Sequence, residues 1–463
     1  MVGTAFCAPS VPVEPPAMST RYPRLALGTV QRDVDPRPVV WALLVLLHSR
    51  HRQVQHFLSQ ACFPTLAGGI AATGNRSRHL DSWVMPRDIC REVFFRGARK
   101  ADLSVIDGRY DACARAPQGG SLDQLCDWLD LPRLVVLDVT QLGHCRLPRP
   151  SFPVDGLLLD RVGDADDLRR WRVELEPLFG APVLAALPPL DNLRAEITGL
   201  ACGSSLPQTL CAELGRQLGR HAALERLARL ADRRPLIATR GVIDLPRPTA
   251  ARTSVAVAYD DAFHCYFPLV LELLELAGAR VIDFSPLADE HLPGEADVVY
   301  FGCGHPERYA EALAENHCLK LSIRNHVCRG GRVYGEGGGG AYLCQHLETA
   351  SGARYAMAGV VPAIAHVADP QRPLPVEIEL QRETWLGPTG ERFRGYLNRQ
   401  VGFEPLIDAE ASISRVDDEV VLLGDRQAIA SRIHLDFAVQ GGLLRKLLRP
   451  AHPAAALVAR DLL

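Results

Sequence analysis

Short apolar runs that alternate with longer helix-like segments constrain the fold of this chain more than any other feature of its sequence. The strand-like runs lie at residues 25–27, 103–106, 134–137, 157–159 and 183–184, and the helix-like segments lie at residues 39–50, 121–129, 166–178 and 207–232. Such alternation is typical of an α/β fold, in which a parallel sheet carries helices on both faces. We therefore predict a parallel-sheet domain for the first half of the chain.

Around residues 232–252 the composition becomes proline-rich, charged and aperiodic, as expected of a linker. Further strand-like runs follow at residues 254–257, 280–284, 297–301 and 332–334, with a helix-like segment at residues 268–277. The length of 463 residues also exceeds that of a typical single core. We predict a disordered proline-rich tail, a first domain, a linker, a second α/β domain and a C-terminal tail at residues 1–22, 23–235, 236–252, 253–445 and 446–463.

The balance of charge and hydropathy excludes several classes of partner. With 51 Lys and Arg against 54 Asp and Glu, the chain has no basic stripe that would neutralise a run of phosphates, so we expect no nucleic acid. The longest apolar run, Val39 to Leu47, is shorter than the roughly 20 residues that span a bilayer, so we expect no membrane segment. The first 20 residues lack Lys, Arg and an apolar core, so we expect no signal peptide and a cytoplasmic protein.

Thirteen cysteines are scattered along the chain without a CxxC pair. This spacing argues against a disulfide framework and against a closed zinc site. We therefore expect reduced thiols that pack as small apolar groups, and the sequence leaves the identity of any other bound metal unknown.

The segment Val333 to Leu343 reads Val-Tyr-Gly-Glu-Gly-Gly-Gly-Gly-Ala-Tyr-Leu, which is an apolar strand end, a tight glycine turn and a helix start. This is the layout of a nucleophile elbow, whose apex residue is strained and exposes its side chain. Adjacent backbone amides and the helix dipole can stabilise an anion there. The apex in this chain is Gly337, which has no side chain with which to attack a substrate.

The elbow resembles that of the cobyrinic acid a,c-diamide synthase family, in which the corresponding stretch reads like Tyr-Ala-Glu-Cys-Gly-Gly-Leu-Met-Tyr-Leu. Segments 300–313, 260–268 and 284–289 resemble further segments of the same family. Members are ATP-dependent glutamine amidotransferases, ligases that amidate tetrapyrrole carboxylates in cobalamin biosynthesis. The resemblance extends from residue 23 to about 440. It implies an α/β protein with an N-terminal P-loop-like parallel-sheet domain followed by a class I glutamine amidotransferase-like α/β domain.

In the second domain the resemblance implies a glutaminase site with losses. Gly337 stands at the nucleophile position, which is therefore vacant. His434 matches the general base, either as a catalytic remnant or as a buried, hydrogen-bonded residue, while Asp436 replaces a second histidine. The oxyanion region corresponds to Gly302, Gly304 and Gly338. Cys303 interrupts this glycine run, either as a displaced nucleophile or as an ordinary buried thiol.

In the first domain the resemblance implies ATP and magnesium, and the residues argue against both. The family's phosphate-cradling loop is of the Gly-Thr-Ser-Ser-Gly-x-Gly-Lys-Thr type, but only Gly28 and Thr29 match in this chain. Acids and prolines follow them, which remove positive charge and amide donors. Asp107 matches an acid that suits magnesium, although a capping or turn role is equally consistent with its position. Asp81 and Ser82 lie in the best-matched stretch, assigned to the substrate region.

Three functional hypotheses follow. The first is a catalytically impaired paralogue, a pseudoenzyme that binds a corrinoid or sirohaem-type tetrapyrrole or a protein partner. The alternative is an active ATP-dependent a,c-diamide synthase that acts on cobyrinate or a sirohaem-type substrate with free ammonia. The third is a subunit that forms homo-oligomers, or hetero-oligomers with an active synthase.

Overall fold

Two α/β units follow one another along the chain in a computed structural model of the protein. The structure describes residues 21–31, 33–50, 53–59, 68–110, 120–142, 150–200, 206–232, 235–236, 241–243, 253–369, 371, 373–406, 412–440 and 442–449. Most of the predicted N-terminal tail, linker and C-terminal tail therefore lies outside the described residues. Within these ranges, the longest apolar helices are too short to cross a membrane.

The first unit is a seven-stranded sheet whose described strands all run parallel, in the order β3-β2-β4-β1-β5-β6-β7. The strands are β1 (Arg24–Thr29), β2 (Val54–Leu58), β3 (Arg78–His79), β4 (Leu103–Arg109), β5 (Arg133–Asp138), β6 (Gly156–Asp160) and β7 (Val183–Leu187). Every residue of β1, β5, β6 and β7 is buried, as expected for strands covered by helices on both faces.

Helices cover this sheet. They are α1 (Arg37–His48), α2 (Gly68–Thr73), α3 (Arg87–Ala98), α4 (Leu122–Leu129), α5 (Ala165–Phe179), α6 (Asp191–Gly199), α7 (Gln208–Gly219) and α8 (Leu224–Ala231), with a 3-10 turn at Val139–Gln141. The apolar run predicted at residues 39–50 is the buried helix α1, which packs along α7. The single helix-like segment predicted at 207–232 is two helices, because α7 ends at Gly219 and the chain turns before Leu224.

The second unit has a seven-stranded sheet of order β10-β8-β11-β13-β22-β21-β20. The first five strands in this order run parallel, β21 pairs antiparallel with β22, and β20 pairs antiparallel with β21. These strands are β8 (Ser254–Ala258), β10 (Arg280–Phe284), β11 (Val298–Phe301), β13 (Arg332–Glu336), β20 (Ser412–Val416), β21 (Glu419–Gly424) and β22 (Ala428–Ser431). Its helices are α9 (Pro268–Leu276), α10 (Ala310–Glu315), α11 (His317–Cys328), α12 (Gly338–Leu343) and α13 (Leu443–Leu447), with a 3-10 turn at Pro306–Tyr309. Strand β13 lies between β11 and β22.

Three smaller sheets complete the second unit. They contain β9 (Phe263–Cys265) with β12 (Cys303–Gly304), β14 (Cys344–Glu348) with β15 (Arg354–Ala356), β16 (Val361–Val367) and β19 (Val401–Pro405), and β17 (Leu374–Glu379) with β18 (Arg392–Leu397) and β23 (Ile433–Leu435). The predicted fold class is confirmed by the two sheets with their helices. Helix α13 runs across the predicted domain end at residue 445, and Leu447 within it is buried.

The two units contact each other through buried polar groups at strand β18 of the second unit. The Tyr396 hydroxyl donates to Asp81 Oδ2, and the Trp83 indole N–H donates to the Gly395 carbonyl at 3.0 Å. Asp81 is fully buried. Because a buried hydrogen bond to a carboxylate is costly to break, these contacts fix the first unit against β18.

Candidate functional site

The glycine elbow joins the end of β13 to the start of α12. Gly337 has φ 52° and ψ -115°, a backbone conformation that residues with a Cβ adopt only under strain. Its N–H donates to the Ser431 carbonyl at 2.7 Å, and its carbonyl accepts from the Ala341 N–H at 2.9 Å. The turn therefore has the sharp strand-to-helix geometry of a nucleophile elbow, with glycine at the apex.

Two neighbouring side chains fill the space that an elbow side chain would need. A Cβ placed on Gly337 would lie 2.7 Å from Asn398 Nδ2 and 3.0 Å from Cys303 Sγ. Both distances are shorter than a relaxed contact between such atoms. The amide of Asn398 and the thiol of Cys303 therefore fill the space in which a side chain at Gly337 would lie.

Beneath the apex, a carboxylate, an imidazole and the same thiol lie together. Glu336 Oε2 is 2.5 Å from His434 Nδ1, and Cys303 Sγ is 3.6 Å from that same nitrogen. The second carboxylate oxygen of Glu336 accepts from the Leu435 N–H at 3.2 Å. All three side chains are at most 1 % exposed. Glu336 thus orients the imidazole with one oxygen while the other is fixed by β23.

Burial dominates the electrostatics around this cluster. It raises the pKa of the Cys303 thiol well above its usual range, and Cys265 and Glu336 raise it further. Cys303 is therefore a protonated thiol at neutral pH in the absence of a bound cation. Burial also raises the pKa of Asp436 to about 6, although His79 opposes the shift. The ring of Phe267 stacks on the His434 imidazole at 4.0 Å between centroids.

The predicted oxyanion residues meet around the elbow. Gly302 and Gly304 lie at the end of β11 and in β12, and a Cβ on Gly338 would lie 2.7 Å from the Gly304 carbonyl. The Gly302 N–H donates to the Tyr266 hydroxyl at 2.9 Å. One of the amides assigned to an oxyanion is thus engaged by a buried tyrosine.

At the first unit, the loop that follows Gly28 and Thr29 is tied to the protein by its own side chains. The Gln31 side chain donates to the Asp138 carbonyl at 3.1 Å and accepts from the Asp138 N–H at 2.8 Å. The Thr29 hydroxyl accepts from the Gln31 N–H at 3.1 Å. A Cβ on Gly28 would lie 2.8 Å from the Gly108 carbonyl, so the strand here is closely packed.

An arginine at the end of β4 contacts the same loop. Arg109 donates to the Val34 carbonyl at 3.1 Å and also to the Gln31 carbonyl. The loop therefore presents carbonyl oxygens to a guanidinium, whereas a phosphate cradle presents N–H groups to an anion. Helix α1, which follows, has Pro36 at its N-cap and a proline in its first turn, and the Asp35 side chain accepts from the Arg37 N–H at 3.1 Å.

Asp107 lies at the carboxyl end of the sheet beside a buried histidine. Its Oδ1 is 3.2 Å from His56 Nε2, without the alignment of a hydrogen bond. Asp107 faces His56, and Arg109 is bonded to carbonyls of the loop. The described residues at this edge are therefore a poor fit for magnesium and a nucleotide phosphate chain.

The residues predicted for the substrate region face inward. Asp81 accepts from the Trp83 N–H at 2.7 Å through Oδ1 and from the Tyr396 hydroxyl through Oδ2. The Ser82 hydroxyl accepts from the Gly120 N–H at 3.0 Å. The structure thus places Asp81 in the contact between the two units and Ser82 in a bond within the first unit, and it brings neither side chain to the elbow.

Four residues of the sites carried no assigned role in the sequence: Glu336, Asn398, Phe267 and Arg109. An acid directly before an elbow apex was a usable signal for Glu336. The other three reach their sites through strand pairing and packing, for which no local pattern exists.

Comparisons with known proteins give similar sequences over most of the chain. Residues 254–439 match the family model described as the CobB/CobQ-like glutamine amidotransferase domain. The chain is 28 % identical over 468 residues to the cobyrinate a,c-diamide synthase of Salmonella typhimurium, covering 94 % of this chain and 99 % of that protein. It is 27 % identical over 394 residues to that of Syntrophotalea carbinolica, covering 81 % and 85 %.

Solved structures also match over part of the chain. A crystal structure of a glutamine amidotransferase is 18 % identical with a TM-score of 0.33, covering 42 % of this chain and 96 % of its own. The structure of PurLQS from Thermotoga maritima is 14 % identical with a TM-score of 0.33 and the same coverage.

Proposed function

The chain belongs to the family of cobyrinate a,c-diamide synthases, and from that premise we propose that it is a tetrapyrrole-binding paralogue that does not hydrolyse glutamine. The observation that carries this proposal is the filled apex of the elbow. Gly337 has no side chain, and Asn398 and Cys303 take up the space in which an attacking group would stand.

Glutamine hydrolysis at an elbow needs a nucleophile that forms a covalent acyl intermediate and releases ammonia. A glycine cannot form that intermediate. The thiol of Cys303 lies close to the apex, but burial keeps it protonated. Its neighbour His434 is held through Nδ1 by Glu336, so the imidazole nitrogen that faces the thiol is already engaged.

The first unit supports the same proposal from the side of the nucleotide. Arg109 and Gln31 hold the loop in the place of a phosphate chain, and Asp107 faces His56. We infer that ATP and magnesium bind weakly at this edge.

Tetrapyrrole binding is supported by the names of the similar relatives, and the two units of this chain are joined by buried polar contacts. The relatives carry the name of an enzyme that acts on cobyrinate, a corrinoid with several carboxylates. The contacts of Asp81 with Tyr396 and of Trp83 with Gly395 join the units through polar groups that a separated pair would leave unsatisfied. We propose that the ligand is a corrinoid or sirohaem-type carboxylate, and that a protein partner, either a second copy or an active synthase, is a further candidate.

Calorimetry on the purified chain tests this function. We expect heat of binding from cobyrinate or a sirohaem-type ligand and none from ATP with magnesium. Absence of tetrapyrrole binding would contradict the proposal. Tight binding of ATP with magnesium, together with ammonia-dependent amidation of cobyrinate, would favour the active synthase instead.

A further inference from the structure

A thiol, a carboxylate and an imidazole converge in the core of the second unit. Cys303 Sγ, a carboxylate oxygen of Glu336 and a ring nitrogen of His434 all lie within 4.8 Å of one another, and this is the cluster of such donors found among the described residues. The three come from β12, β13 and β23, far apart in sequence and adjacent in the fold. The fold therefore brings these donors together although the sequence has no CxxC pattern.

The arrangement differs from that of a proton relay. In a nucleophile–histidine–acid relay, the acid binds one ring nitrogen and the nucleophile faces the other. Here Glu336 Oε2 at 2.5 Å and Cys303 Sγ at 3.6 Å both approach Nδ1 of His434. Three donor atoms within 4.8 Å of one another suit the coordination of a cation better than this geometry suits the passage of a proton.

We propose that Cys303, Glu336 and His434 bind a zinc-type divalent cation. Zinc accepts thiolate, imidazole and carboxylate ligands in a tetrahedral geometry, and three protein ligands leave a fourth position for water or another ligand. Magnesium and calcium prefer oxygen donors alone, which the thiol and imidazole do not supply. This inference goes beyond the proposed function, since neither tetrapyrrole binding nor the loss of glutaminase chemistry requires a metal.

The charge of such a site balances. A thiolate and a carboxylate together carry two negative charges, which offset the two positive charges of the cation. All three side chains are at most 1 % exposed, so a neutral total avoids the cost of an unpaired buried charge. The cation would replace the proton of the thiol and the proton between Glu336 and His434, because metal binding displaces protons from its ligands.

The surroundings orient the three ligands. Phe267 stacks on the imidazole at 4.0 Å, and the Leu435 N–H holds the second oxygen of Glu336 at 3.2 Å. Such outer contacts position metal ligands in known sites. Gly337 also contributes, because any side chain there would begin 3.0 Å from the sulfur and would crowd the ion. The glycine that removes the nucleophile thus leaves the thiol of Cys303 clear on that side.

Cobalt(II) titration of the chelator-treated full-length protein tests the proposal, since cobalt replaces zinc and reports thiolate ligands by a charge-transfer band in the near ultraviolet. We expect one cobalt per chain with this band, and its loss on addition of zinc. Cys303→Ser abolishes the band. Cys344→Ser, which changes another fully buried thiol of the same unit outside the cluster, retains it.

His434→Gln provides a second variant in case Cys303→Ser fails to fold, with folding checked by circular dichroism. We expect it to keep the thiol and to lower cobalt affinity by at least about tenfold. A wild-type protein that neither shows the band nor retains zinc in equilibrium dialysis would overturn the proposal. A band of unchanged intensity and affinity in a folded Cys303→Ser or His434→Gln protein would overturn it as well.

Discussion

The elbow and the nucleotide edge have both departed from the family pattern, but in different ways. At the elbow the strand, the turn and the helix have the geometry of a nucleophile elbow and Glu336 pairs with His434 at 2.5 Å, but Asn398 and Cys303 fill the space at Gly337. At the nucleotide edge, Gln31 bonds to Asp138, and Arg109 bonds to backbone carbonyls of the loop. The first region is a buried cluster of side chains and the second is a loop held by bonds to the backbone, which predicts different responses to mutation.

The largest expected effect lies at the elbow, in the buried pair. Glu336→Ala leaves His434 without its carboxylate and opens a cavity in the core, so we expect the free energy of unfolding to fall by about 3–5 kcal/mol. Urea denaturation measures this change. Glu290→Ala, at an exposed position, is the control and should change stability by less than about 0.5 kcal/mol. Equal effects of the two substitutions would show that the Glu336–His434 pair contributes little.

A buried carboxyl at the edge of the first sheet gives the next largest effect. Burial raises the pKa of Asp160 to about 6, although Arg194 opposes the shift. Between about pH 4 and this value the Asp160 carboxyl binds more protons in the folded protein than in the unfolded chain, so its contribution to the free energy of unfolding decreases as pH rises.

Asp160→Asn removes this titration. We expect the decrease in stability between about pH 4 and pH 6 to become shallower by up to about 1.4 kcal/mol per pH unit, measured by denaturation at several pH values. Asp166→Asn, at an exposed position on α5, should leave the slope unchanged. A wild-type slope retained in Asp160→Asn would show that Asp160 titrates normally.

Restoring a thiol at the apex tests whether Asn398 and Cys303 fill the space at Gly337. Gly337→Cys brings a side chain to within 3.0 Å of Cys303 Sγ and 2.7 Å of Asn398 Nδ2, and we expect a loss of about 1–3 kcal/mol. Adding Cys303→Gly relieves one of these contacts, so the double variant should be more stable than Gly337→Cys. A single variant as stable as the wild type would show that the space is not filled.

The smallest effect is expected at the loop that follows Thr29. Arg109→Met keeps much of the apolar stem but removes the bonds to the Val34 and Gln31 carbonyls, which costs about 1–2 kcal/mol. Arg169→Met on the exposed face of α5 is a matched control with no expected change. An equally small effect in both variants would indicate that Arg109 does not hold the loop.

The sequence predicted the elements whose signals are local. The buried strands, helix α1 and the glycine turn around Gly337 each follow from a run of neighbouring residues. The break between α7 and α8 was missed, because helical periodicity continues through residues 219–224.

The side-chain cluster could be predicted only in part. Cys303 and His434 are 131 residues apart, and only the register of β23 and the position of β12 bring sulfur and nitrogen to 3.6 Å. The sequence around Asn398 predicts no role for this residue, although its amide fills the apex. Packing of this kind depends on the whole fold, so one sequence carries no local signal for it.

Glutamine hydrolysis tests the central claim most directly. Release of glutamate and ammonia from glutamine is measured with the purified protein, with cobyrinate and magnesium ATP present, beside a folded His434→Gln variant. The account predicts no release above that of the variant, because the apex has no nucleophile. Turnover by the wild-type protein that His434→Gln abolishes would contradict it.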